Sequence, residues 1–172
     1  MSGMHHQPDG AAFDVVLLLH VGSAVVGLVT TLTAAATAGR LRRLLRSPAP
    51  LPETLRRYFR PGVNWAGRFV YGVPVFGFAL LAMSQGAYAL GDGWVLAGLG
   101  IFAVVALLGE GLLWPAERRL QAAVAAVAAG DTATAMPPVT GVMHRDATLM
   151  ARAAGAALVL LATGMVIMVA QP

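Results

Sequence analysis

One histidine stands inside an uncharged apolar stretch of this chain, and methionines stand inside two others. His20 lies within residues 15–39, which contain no Asp, Glu, Lys or Arg. An imidazole nitrogen combined with thioether sulfur suits Cu(I) or an axial haem position. We therefore predict His20, with Met83, Met165 and Met168, as candidate ligands of copper or haem. The alternative is structural, since a buried histidine commonly hydrogen-bonds a neighbouring helix and methionine fills gaps in apolar packing.

Three charged side chains fall within or at the edge of apolar stretches. Glu110 is the one charged residue in 93–116, and Arg68 and Arg152 stand just before two further uncharged stretches. A charge inside a bilayer is costly unless it is paired, so we predict that Glu110 contacts Arg68 or Arg152. Such a pair could lock helices together while the arginines reach for headgroups, or it could form a polar gate or proton relay.

The sequence contains few other signs of catalysis. It has no cysteine, which excludes thiolate metal sites and disulfides. It also lacks a nucleophile elbow, a phosphate-binding loop and the His-Glu-x-x-His motif. The aspartates, Asp146 among them, fall at predicted helix ends or loops, where we expect them to be solvated. These observations favour a protein that is not an enzyme.

The elements that carry these residues are predicted to be membrane-spanning helices. The 172 residues are 58% hydrophobic and 12% charged, with a mean hydropathy of +0.71. Soluble domains contain about twice that share of charged residues, and about 20 apolar residues span a bilayer. The uncharged stretches predict four spans, at about 13–38, 64–89, 94–115 and 147–170. We expect an all-α, up-down four-helix bundle in one domain, residues 13–172, with a kink or a new helix at Pro115.

The twelve basic residues are all arginine, and ten of them fall in two segments between predicted spans. Arginine-rich short loops lie in the cytoplasm, so segments 40–63 and 116–146 are predicted there. The tail 1–12 and the C-terminus are then outside, an N-out/C-out arrangement. This placement argues against a nucleic-acid partner and for contact with anionic lipid headgroups. The absence of lysine indicates a bacterial source, and we expect a multi-pass protein of the cytoplasmic membrane.

Glycine recurs at short intervals in every predicted span, for example at Gly22 and Gly27 and at Gly72 and Gly77. Helices in a bilayer associate through close backbone packing, so these residues are predicted to mark contact faces. Such faces also allow a homo-oligomer or a partner in a membrane complex.

Two stretches resemble a known family. LLLHVGSAVVGLVTTLTAA, which contains His20, and GEGLLWPAERRLQ, which contains Trp114, Pro115 and Gln121, are similar to small bacterial predicted integral membrane proteins of unknown function. Those proteins more distantly resemble the membrane domain of copper-resistance protein D and the membrane-bound protoporphyrinogen oxidases. The resemblance implies that His20 serves a metal or haem-related site.

Three functions therefore stay open from the sequence. The first is a structural or accessory subunit of a membrane complex, which needs contact faces and a locked polar pair. The second is a metal- or haem-handling protein that uses His20 and methionines. The third is a small transporter, which needs a polar pathway from Glu110 across the membrane.

Overall fold

The computed structural model describes residues 10–46, 51–129 and 137–170, with the side chains of 137–139 excepted. Most of the predicted tail 1–12 therefore lies outside the described residues. Within the described ranges the chain is helical and has no strand, which confirms the all-α class. In these described ranges, four helical stretches are long and apolar enough to cross a membrane: Ala11–Leu44, Trp65–Met83, Gly93–Ala128 and Thr140–Ala170.

The first helix, α1, spans Ala11–Leu44 and is longer than the predicted span at 13–38. Leucine and arginine both have high helix propensity, so the helix continues through the first arginines instead of ending at Gly39. Asp14 lies in its first turn, and Arg42 and Arg43 lie in its last turn. Both placements complement the helix dipole.

A short helix, α2, spans Glu53–Tyr58 within the arginine-rich segment 40–63. Leu55 and the following Phe59 are buried, at 2% and 0% exposure, while Arg56 and Arg57 are exposed. The segment is therefore amphipathic, which suits the predicted contact with anionic headgroups.

The second span is composite. Helix α3 (Trp65–Arg68) leads through a 3-10 turn (Phe69–Tyr71) into α4 (Gly72–Met83). The helix ends at Met83, before the predicted limit near residue 89. Gln85 and Gly86 follow with φ of 51° and 87°, backbone conformations that a right-handed helix cannot contain.

The third span combines α5 (Gly93–Leu108), a π-helical turn (Gly109–Leu113) and α6 (Trp114–Ala128). The Trp114 N–H bonds to the Gly109 carbonyl, five residues back. Pro115 has no N–H, and its ring would clash with the carbonyl of Gly111 in a regular α-helix. The wider turn accommodates that ring. Helix α6 begins with proline near its N-terminus, which agrees with the expectation of a new helix at Pro115.

The last helix, α7, spans Pro137–Ala170. The chain divides into two compact units, each built from separate segments. Unit 1 comprises 1–30, 65–104 and 160–172, and unit 2 comprises 31–64 and 105–159. Among the described residues, nearly all buried apolar side chains belong to unit 2, including Leu41, Leu120 and Met150, each at 0% exposure. The described residues of unit 1 contribute two buried apolar side chains, Val70 at 6% and Val95 at 5% exposure.

Candidate functional site

His20 lies on α1 in unit 1 and is half-buried. Its Nδ1 is 2.8 Å from the carbonyl oxygen of Val73 on α4. A carbonyl oxygen can only accept a hydrogen bond, so Nδ1 carries the proton and donates it. In a neutral imidazole the other nitrogen, Nε2, then keeps its lone pair and can accept a hydrogen bond or bind a metal. The expected hydrogen bond to a neighbouring helix is present, with a backbone oxygen as the acceptor.

Small residues allow α1 to come this close to the second span. A Cβ atom added at Gly77 would lie 3.3 Å from His20 Cε1, and one added at Gly27 would lie 3.1 Å from Val70 Cγ2. Gly72 faces Ser23 in the same way. The predicted role of glycine in helix contacts is confirmed at these three positions, whereas Gly22 has nothing within 4 Å of its Cβ position.

A cavity of about 390 Å³ opens beside His20, entirely within unit 1. Aromatic rings line much of it, including Phe13, Phe78, Tyr88, Trp94 and Phe102. Of the described residues that line the cavity, none carries a formal charge. Sites that bind small molecules have volumes of about 300–1,000 Å³ and mainly apolar linings, and this cavity has both properties.

The turn after α4 positions two of these aromatic rings. Ser84 is buried, and its Oγ accepts a hydrogen bond from the Tyr88 N–H at 3.3 Å. The Asp92 carboxylate accepts a hydrogen bond from the Ala89 N–H at 2.9 Å. The Tyr88 and Trp94 rings then meet edge to face, with centroids 5.6 Å apart. These bonds hold the part of the cavity wall that Tyr88 and Trp94 form.

Met168 is the predicted methionine ligand that lines the cavity with His20. A Cβ added at Gly98 would lie 2.6 Å from Met168 Cε, so the thioether end packs directly on that glycine. Met83 and Met165 do not line the cavity. Among the described residues, no group of three or more histidine or acidic side chains could hold a metal ion. The predicted ligand set of His20, Met83, Met165 and Met168 stays a prediction.

The predicted charged residues occupy three different elements. Glu110 is exposed within the π-helical turn, Arg68 ends α3 and is half-buried, and Arg152 is exposed on α7. The contact of Glu110 with either arginine stays a prediction.

Unit 2 contains buried polar residues that the sequence analysis missed. Glu117, on α6, is 5% exposed, and its Oε1 accepts a hydrogen bond from Asn64 Nδ2 at 3.3 Å. Gln121, one turn later, is 8% exposed. Burial raises the pKa of Tyr58, and the negative charge of Glu117 raises the pKa further. These contacts link the segment after α2 to α6.

An ion pair joins α6 to α7 in the same unit. Arg119 Nε lies 3.1 Å from both carboxylate oxygens of Asp146, and its Nη2 lies 2.9 Å from Oδ1. Asp146 is 6% exposed, so the expectation that it is solvated was wrong. The reason is that α7 begins ten residues earlier than the predicted span, which places Asp146 inside a packed helix.

One sequence signal could have identified part of this cluster. Glu117 and Gln121 are four residues apart, and the apolar Leu120 and Val124 repeat with the same spacing. Residues at i, i+3 and i+4 share one helix face, so this pattern places both polar side chains beside an apolar face.

Comparison with known proteins identifies the family. A family model described as "Predicted integral membrane protein (DUF2269)" matches residues 14–172. The chain belongs to this family. It is an integral membrane protein, in agreement with its four candidate spans. No curated protein and no solved structure matches the chain. The likeness of this DUF2269 protein to copper-resistance protein D stays a prediction.

Proposed function

We propose that this DUF2269 protein binds an uncharged, lipid-soluble small molecule in the cavity beside His20. The observation that carries the proposal is the His20–Val73 hydrogen bond, because it fixes the imidazole and leaves Nε2 available to a ligand. The lining without charged side chains favours an uncharged ligand, since a buried charge needs a partner.

The cavity rim supports entry from the bilayer. Leu17, Phe78 and Val169 line the cavity and are 41%, 48% and 87% exposed. All three belong to candidate spans, whose exposed apolar side chains face lipid. A ligand dissolved in the membrane can therefore reach His20 without passing through water.

The test is to identify what co-purifies with the full chain. The protein would be reconstituted in lipid nanodiscs, and native mass spectrometry would compare wild type with Leu17→Trp, which narrows the rim, and with His20→Ala. His144→Ala is the matched control, because His144 lies on α7 in unit 2 and does not line the cavity. We expect one bound molecule per chain in wild type and in the control, and loss of it in the other two. Equal recovery of ordinary phospholipid alone from all four proteins would overturn the proposal.

A metal or haem group is a second candidate for the same site. It is favoured by the same hydrogen bond, since ligating histidines commonly donate their second ring N–H to a backbone carbonyl. His20 Nε2 and the Met168 sulfur would be the donors, and a bound metal would supply redox chemistry. The donor set of one imidazole and one thioether is small for copper, and the uncharged lining offers haem propionates no ion pair, so we rank this candidate second. An absorption spectrum and metal analysis decide it: about one equivalent of haem or copper, lost in His20→Ala, would establish it.

The exposed arginines of unit 2 are proposed to bind anionic headgroups on the cytoplasmic face of a bacterial inner membrane. Arg56, Arg57 and Arg60 lie beside buried Leu55 and Phe59, a pattern typical of segments at the membrane interface. The functions of accessory subunit and of small transporter stay predictions, as does assembly with further copies or partners.

A further inference from the structure

We infer that the ligand of the His20 cavity is a lipid-soluble hydroquinone whose ring hydroxyl donates a hydrogen bond to His20 Nε2. This inference rests on the proposed function and names the chemical class of its ligand.

The direction of hydrogen bonding at His20 requires a ligand that donates a hydrogen bond. Val73 O lies 2.8 Å from Nδ1 and accepts a hydrogen bond from the Nδ1–H group, so the neutral ring has no second N–H to give. Nε2 therefore accepts. A hydroxyl group matches this acceptor, whereas a quinone carbonyl would bring a second lone pair against it and leave both unpaired. A hydroquinone should therefore bind to His20 in preference to the corresponding quinone.

The walls of the cavity favour a flat ring. Tyr88 and Trp94 hold each other edge to face at 5.6 Å, and Phe102 packs edge to face on Tyr71 at 5.9 Å. Rings fixed in this way offer faces and edges to a further aromatic ring, which gains more than simple burial. The volume of about 390 Å³ is near the low end of small-molecule sites, and it suits a single substituted ring better than a large macrocycle.

The open side of the cavity accounts for a long apolar substituent. Since Leu17 and Val169 form an exposed rim on membrane-spanning helices, a tail attached to the ring can stay among the lipid chains. The ring then occupies the cavity, and the tail needs no site of its own.

The experiment compares three probes that share one ring: a hydroquinone with a single prenyl unit, its quinone, and its dimethyl ether, which has no hydroxyl. Binding to the full chain in nanodiscs is followed under anaerobic conditions by tryptophan fluorescence, because Trp94 lines the cavity. We expect the hydroquinone to bind about tenfold more tightly than either other probe, the effect of one buried hydrogen bond and the unpaired group left without it.

Variants of His20 separate hydrogen bonding from metal ligation. His20→Gln keeps an amide N–H for Val73 and a carbonyl oxygen for the hydroxyl, so its affinity for the hydroquinone should stay within about threefold of wild type. His20→Ala should lose about tenfold, and His144→Ala should lose nothing.

Two outcomes would contradict the inference in different ways. If all three probes bind equally and Leu17→Phe, which narrows the rim without adding a tryptophan, weakens them all, the cavity binds small molecules and the hydroquinone assignment is wrong. If both Leu17→Phe and His20→Ala leave the binding of every probe unchanged, the probes merely dissolve in the lipid, and the proposed function is overturned as well.

Discussion

The buried Asp146 carboxylate forms a bidentate ion pair with Arg119. The Arg119 side chain is 51% exposed. A second ion pair, between Arg56 and Glu53, has the same 2.9 Å separation but side chains that are 49% and 71% exposed. Water and salt weaken the exposed pair, whereas loss of a partner from the buried pair leaves polar groups without solvent. The two ion pairs are therefore expected to differ in their contribution to stability although their distances are equal.

We expect Asp146→Asn to lower the free energy of unfolding by about 1–3 kcal/mol, a range reduced for the exposure of Arg119. Glu53→Gln is the matched control, and its effect should stay below about 0.5 kcal/mol. Equilibrium unfolding of the purified protein in mild detergent measures both. Equal effects of the two substitutions would mean that Asp146 is not protected from solvent as described.

Two glycines of helix α1 differ in whether their backbone is in contact with a neighbouring helix. Gly27 packs against Val70, at 3.1 Å from the Cβ position to Cγ2, whereas Gly22 has open space around it. Both lie inside the same helix and have the same intrinsic helix propensity. A larger side chain at Gly27 therefore reports on packing between α1 and the second span, and the same side chain at Gly22 is its control.

Gly27→Val should destabilise the protein by about 1–3 kcal/mol through overpacking, because the Val70 backbone also lies close, at 3.4 Å. Gly22→Val should change stability by less than about 0.5 kcal/mol, as substitutions at open positions do. Thermal unfolding in detergent, followed by circular dichroism, compares them. A loss at Gly22 as large as that at Gly27 would refute the assignment of the contact face.

At the scale of the whole molecule, charge is divided unevenly between the two units. Unit 2 contains eleven arginines and five carboxylates, a formal charge of +6, and unit 1 contains one arginine and three aspartates, a formal charge of −2. Short loops that are rich in arginine stay in the cytoplasm during insertion. The loops of unit 2 are therefore predicted to be cytoplasmic.

Fusions of alkaline phosphatase and of green fluorescent protein test this topology. A phosphatase fused after Pro172 should be active and a fluorescent protein there dark, because the C-terminus is predicted outside. Fusions near Pro50, in the arginine-rich segment, should give the opposite result. Phosphatase activity near Pro50 would reverse the predicted orientation.

The four spans and the use of Gly27, Gly72 and Gly77 in helix contacts could be predicted from the sequence alone. These follow from local properties, since the length of an apolar stretch and the size of its side chains can be read without knowing any neighbour. His20 could be singled out for the same reason, as an imidazole within an uncharged stretch.

Which polar groups form pairs depends on the tertiary packing of the helices and could not be read from the sequence. His20 bonds to Val73 and Asn64 to Glu117, each pair 53 residues apart, and Asp146 pairs with Arg119 across 27 residues. Such pairs depend on which helix faces come together, and hydropathy is the same for many rotations of a helix in lipid. The cavity depends on the same packing, because its walls come from all three segments of unit 1, which are distant in the sequence.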